Sequence, residues 1–110
     1  MILKRDDAFR AVCEFRTEVT PGRFSVGTGM FVSLQADENS FYGWIVTAGH
    51  VAVGTTDSTE IVIATKDGKV EVLPLKMFGP ITNWKHHPVA DVSAFQIIFS
   101  DTNKKFMENR

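Results

Sequence analysis

Short apolar runs at period two dominate this chain. Ala11, Cys13, Phe15, Thr17 and Val19 alternate with Val12, Glu14, Arg16 and Glu18. That spacing fits a half-buried strand better than the 3.6-residue period of a helix. Thr20-Pro21-Gly22-Arg23 follows as a turn, with Pro presetting φ and Gly free to take positive φ. A second strand is predicted over 24–34. It contains Gly27-Thr28-Gly29, which permits close backbone approach or a sharp bend. Residues 35–40 read as a polar hairpin loop, 41–47 as a largely apolar strand, and 48–53 as a single helical turn. Two β-branched runs, 61–65 and 70–75, flank Lys66-Asp67-Gly68-Lys69. Asp-Gly between such runs is a strong hairpin signal. Pro74 places the second run at an edge or a strand end. Residues 77–90, with Gly79-Pro80 and Pro88, read as an extended loop, and 91–99 as the last strand.

Six strands with marginal helix make an all-β chain, expected to form a six-stranded antiparallel β-barrel. Closure would protect the edges that an open sheet exposes. Residues 1–10 are an N-terminal extension, 11–100 the barrel, and 101–110 a linker or tail.

Composition narrows the class. The chain has 110 residues, 44% of them hydrophobic and 23% charged, enough for one domain with a core and too apolar for disorder. No apolar run approaches the roughly 18 residues of a membrane helix. A net charge of -1 offers no basic field for nucleic acid or anionic lipid. Neither is expected as a partner. With one cysteine, Cys13, no internal disulfide can form. The start Met1-Ile2-Leu3-Lys4-Arg5-Asp6-Asp7 lacks the apolar stretch of a secretory signal. A reducing, cytoplasmic compartment is the expectation.

Two segments carry chemistry. In Gly43-Trp44-Ile45-Val46-Thr47-Ala48-Gly49-His50-Val51, a strand ends in small residues and then presents a histidine. The small residues allow a tight turn that aims the ring into a cleft. In His87-Pro88-Val89-Ala90-Asp91-Val92-Ser93-Ala94-Phe95-Gln96-Ile97, a carboxylate stands at the start of an apolar strand. A carboxylate entering a core must be paired, and a histidine donating from Nδ1 suits it.

With these motifs the chain resembles the N-terminal barrel of a trypsin-like (chymotrypsin-fold) serine protease, of the disulfide-free bacterial or viral type. Gly27-Thr28-Gly29-Met30-Phe31-Val32 resembles an early strand motif of that branch. Trp44 to Val51 resembles the motif around its catalytic histidine, and Ala90 to Phe95 that around its catalytic aspartate. The three come in the family's order, and the stretch from His50 to Asp91 fits the rest of one barrel. The resemblance implies a serine-type endopeptidase, a hydrolase acting by acyl transfer on a polypeptide substrate. It makes His50 the general base and acid, and Asp91 the carboxylate that orients it.

The family's nucleophile lies in a Gly-Asp-Ser-Gly-like motif on a second barrel, and none stands here. Ser25, Ser33, Ser40, Ser58, Ser93 and Ser100 lack that context. The expectation is half a protease, inactive alone, whose polypeptide continues past Arg110 with a serine or, as in viral relatives, a cysteine. The oxyanion hole and specificity pocket belong to the missing half. Val51 stands where vertebrate members place a bridged cysteine, and no Ile-Val-Gly-Gly start supports zymogen activation.

The alternative is a non-catalytic one-barrel binding module that self-associates through an exposed apolar face. The remaining residues read as structural. His86 and His87 are expected to be a solvated loop, since neighbours in extended chain face opposite ways and rarely share a metal. Cys13 reads as packing, Trp44 as core and Trp84 as a loop anchor. No metal site and no cofactor is expected.

Overall fold

Alternation sets the phase of the first strand. In the computed structural model, which describes residues 12–37, 40–64 and 67–98, Cys13, Phe15 and Thr17 are buried while Val12, Glu14 and Glu18 are exposed. They lie on β1 (Val12–Thr20), which hairpins through Pro21-Gly22 into β2 (Arg23–Asp37). Next come β3 (Ser40–Thr47), the helical turn α1 (Gly49–Val53), β4 (Glu60–Ala64) and β5 (Val70–Pro74). Short 3-10 turns at Leu75–Met77 and Ile81–Asn83 lead to β6 (Trp84–His86) and β7 (Ser93–Gln96). Gly22 and Gly68 take positive φ, 79° and 81°, as their turns require.

All strands join one antiparallel sheet in the order β5-β4-β1-β2-β3-β7-β6. Three expectations change among the described residues. The sheet has seven strands, the extra one being β6, whose three residues are too few to show alternation and precede Pro88. Among the described residues the ladder does not close: β5 and β6 remain its two edges. The last strand also begins at Ser93, so Asp91 precedes it. Pro74 is the last residue of edge strand β5, where its missing N–H costs no ladder bond.

The sheet curls strongly all the same. Phe15 on β1 and Trp84 on β6 have ring centroids 5.8 Å apart. Four strand spacings in a flat sheet would separate them by roughly 19 Å. Trp84 also meets Phe95 edge-on at 5.2 Å. The enclosed core is Cys13, Phe15, Phe31, Ile45, Ile61, Ile63, Leu75, Phe78, Trp84, Phe95 and Ile97, with Ala52 of α1.

β2 is the shared spine. Its first half pairs β1 and its second half pairs β3, the two ladders overlapping at Gly29 and Met30. A Cβ at Gly29 would collide with the Phe15 ring, and one at Gly27 would lie 2.6 Å from the Val51 side chain. The Gly-Thr-Gly segment thus serves close approach: Phe15 and α1 both pack onto bare backbone.

Trp84 and Trp44 exchange their expected places. Trp84 is core, its Nε1–H donating to Thr55 Oγ1 at 2.9 Å. Trp44 is half-buried on the outer face, stacked on Tyr42 at 6.1 Å. Residues 43–46 lack a polar member, so alternation could not choose the phase there. Cys13 is buried, as packing requires. The extension 1–10 and tail 101–110 lie outside the described residues.

Gly29→Ala is expected to destabilise by about 1–3 kcal/mol through overpacking against Phe15. In a Phe15→Leu background the added cost should shrink, because the obstructing ring is gone. Urea denaturation of the four-membered cycle measures this. An additive result would remove the packing explanation.

Candidate active site

β3 ends at Thr47, whose Oγ1–H donates to Thr28 O at 2.7 Å and ties the strand end to β2. Ala48 is extended, and α1 begins at once. Ala48 has no side-chain acceptor for the open N–H groups of that turn. Asp91, from the loop between β6 and β7, supplies one. His50 N–H donates to Asp91 Oδ1 at 2.8 Å. The other oxygen, Oδ2, lies 2.6 Å from His50 Nδ1. One carboxylate therefore caps the helical turn and holds the imidazole that the turn carries.

This geometry fixes the ring's chemistry. An ionised carboxylate only accepts, so Nδ1 carries the hydrogen, and the neutral ring offers its lone pair at Nε2. The His50 and Asp91 side chains are 75% and 60% exposed. Among the described residues nothing bonds to Nε2, which leaves it open to an incoming hydroxyl.

The hydrogen bonds also hold the Asp91 carboxyl below the ordinary aspartate value of 3.8. The His50 ring contributes most, then the His50 N–H; desolvation opposes them, and the His50 charge and the Gly49 backbone contribute less. Burial is not what forces this pairing. Asp91 was expected at the mouth of the core; it lies in an exposed loop, and hydrogen bonds alone organise it. Exposed ion pairs contribute little to stability. The pair's consequence is orientation.

Gly49 is the residue that lets the carboxylate in. A Cβ there would lie 2.8 Å from Asp91 Oδ1. The far end of α1 is fastened as well. Thr55 Oγ1–H donates to Ala52 O at 2.6 Å while accepting from Trp84 Nε1–H. Both ends of α1 are thus tied to the β6–β7 hairpin, one through Asp91 and one through Trp84.

The two histidines read as a solvated loop are both engaged. His86 Nδ1 lies 2.6 Å from Oγ of buried Ser93, its cross-strand partner. His87 Nδ1 accepts from Val89 N–H at 3.1 Å and Ala90 N–H at 2.8 Å. The available clue was Pro88. It has no N–H, so a ring at position 87 meets its first backbone donors at 89 and 90.

Among the described residues no hydroxyl bonds to His50. Ser93 Oγ is paired with His86, Ser58 Oγ lies 2.9 Å from Thr56 Oγ1, and Ser100 lies outside the described residues. No group of three or more His, Cys, Asp or Glu that could hold a metal occurs among the described residues. Nor is any helix there long and apolar enough to cross a membrane. Comparisons with family models, curated proteins and solved structures return no match.

The Asp91 carboxyl should titrate below the ordinary aspartate value, and His50→Ala should move its midpoint upward. Gly49→Ala should do the same by displacing the carboxylate. Because the folded-state value is depressed, the clasp is complete above the ordinary aspartate range. It is lost as pH falls through the depressed value. Carboxyl carbon NMR titration reads all three, and a His50→Ala midpoint equal to wild type would refute the assignment.

Proposed function

We propose that this chain carries the general base and its orienting carboxylate of a trypsin-like serine endopeptidase, as the N-terminal half of a double-barrel enzyme. The observation that carries the reading is the two-point hold of Asp91 on His50. It places hydrogen on Nδ1 and an open lone pair on Nε2, the state a proton-accepting base needs. The curled seven-stranded sheet is compatible with such a half, its edge strand β6 reaching back to β1 without pairing to it.

In this reading a serine on a second barrel, beyond Arg110, donates its hydroxyl hydrogen to Nε2 while Oγ bonds to the scissile carbonyl carbon. A serine hydroxyl is a weak nucleophile until a base takes that proton. His50 becomes an imidazolium that Asp91 stabilises without itself taking a proton. The imidazolium then protonates the leaving amine as the carbon–nitrogen bond breaks. Water, deprotonated by the same Nε2, hydrolyses the acyl-enzyme and restores the serine. Oxyanion donors on the second half supply much of the rate. Residues 1–110 alone therefore lack peptidase activity.

A second reading is a non-catalytic module that pairs with its own copy. It draws on the outer face, where Val26, Met30 and Tyr42 are exposed beside half-buried Trp44.

The polypeptide extended beyond Arg110 should be labelled by a fluorophosphonate, or by a thiol-directed reagent if the nucleophile is cysteine. His50→Ala and Asp91→Asn should each lower peptidase turnover by roughly 10,000-fold. A folded extended protein that takes neither label would defeat the enzyme reading. The module reading expects concentration-dependent dimers of residues 1–110 in sedimentation, weakened by Met30→Glu. A strict monomer would end it.

A further inference from the structure

We infer that His87 is a positioning residue for the His50–Asp91 pair, acting through the loop that carries Asp91. The inference rests on the proposed roles of His50 and Asp91, but its test reads the pair directly.

The loop spans residues 87–92 between β6 and β7. His87 N–H donates to Val92 O at 2.9 Å, closing it at the base. Beneath that closure, the His86–Ser93 bond joins the facing ends of the two strands. Inside the loop, Val92 N–H donates to Ala90 O at 2.9 Å. Ala90 N–H and Val89 N–H both donate to His87 Nδ1. Asp91 thus sits between two residues whose backbones are each fixed, and the deepest of those ties end on one ring nitrogen.

Burial does not hold this loop. Val89 is 91% exposed, and residues 85–92 are exposed throughout. Hydrogen bonds are what keep it in one conformation. His87 does here what an Asn or Asp oxygen does in an Asx turn, accepting backbone donors two and three residues on. The imidazole differs in one respect. Accepting at Nδ1 requires an unprotonated Nδ1, and a second ring proton turns that acceptor into a donor.

A second ring proton therefore has opposite effects on the two Nδ1 contacts. His50 donates from Nδ1 to Asp91, and adding a proton at Nε2 leaves that donor in place. His87 accepts at Nδ1, and protonation removes the acceptor on which the Asp91 loop is wound. The other titratable groups on the elements around the loop are Lys85 and His86 of β6, Asp91 within the loop and His50 of α1; β7 carries none.

The test compares His87→Asn with His87→Ala in the full chain. Asparagine Oδ1 can accept the same two N–H groups, and alanine cannot. The readouts are amide hydrogen exchange at His50 and Ala90 and the downfield Nδ1–H proton resonance of His50. Core amides such as Phe15 and Ile45 serve as the control for global opening. In His87→Ala, exchange at His50 and Ala90 should quicken roughly tenfold, the size of one or two lost hydrogen bonds, with core amides unmoved. The Nδ1–H resonance should broaden. In His87→Asn, exchange should stay within about twofold of wild type.

An unchanged His87→Ala would overturn the inference, and so would a folded His87→Asn that loses protection as alanine does. Should His87→Ala fail to fold, the asparagine variant decides the matter alone. An extended protein that takes no active-site label yet keeps the His50 resonance would defeat the protease reading and leave this one standing.

Discussion

One ladder register brings the site together. Thr47 at the end of β3 lies opposite Ser93 at the start of β7. The chain leaves β3 into Ala48, Gly49 and His50 on the same side from which Asp91 and Val92 enter β7. Two antiparallel neighbours must have such adjacent ends. His50 and Asp91, 41 residues apart, therefore need no further device to meet than a correct sheet. What remains local is aim. Ala48 gives no cap, Gly49 gives no Cβ, and the carboxylate fills the space both leave.

The pair's openness decides what it is for. A buried carboxylate would need every lone pair satisfied, or it would become protonated. Asp91 is more than half exposed, and its hydrogen bonds hold its carboxyl below the ordinary aspartate value. Solvent screening makes such a pair a weak strut, and the fold is secured elsewhere, by the Phe15–Trp84–Phe95 cluster inside the curl. A tie that contributes little stability but sets a ring's tautomer and direction is one whose consequence is chemical. Nδ1 is committed, and Nε2 alone is left to act.

The sequence showed those features in which one residue type answers one local demand. Asp67-Gly68 marked its hairpin because the turn needs positive φ, and β1 showed its phase because charged residues alternate with Phe15 and Cys13. His50 and Asp91 stood out through their small and apolar neighbours. Features set by distant packing stayed hidden. β6 is three residues long and exists because β7 offers it a ladder. The phase of Trp44 depends on which neighbour the core takes, and residues 43–46 give no polar marker. The exposure of Asp91 was misread because it lies two residues before the strand begins, a boundary that pairing fixes and composition does not. His86 and His87 are exposed as expected, but their partners, a cross-strand serine and two backbone N–H groups, leave no trace in spacing.

The three histidines make the general point. All use Nδ1, and each Nδ1 meets a different partner: a carboxylate at His50, a serine hydroxyl at His86, two backbone N–H groups at His87. The partner, not the residue type, settles whether that nitrogen gives or takes a hydrogen bond. At His50 it must give, which frees Nε2 to accept a proton. At His87 it must take, which places the ring's remaining hydrogen on Nε2. The segment Trp84 to Ser93 thus supplies Asp91 itself, the ring that winds its loop, the hydroxyl that closes the strand ends, and the indole that anchors the far end of α1. His50 stands on the β3 side of the sheet. Nearly everything that orients it comes from one short hairpin on the other.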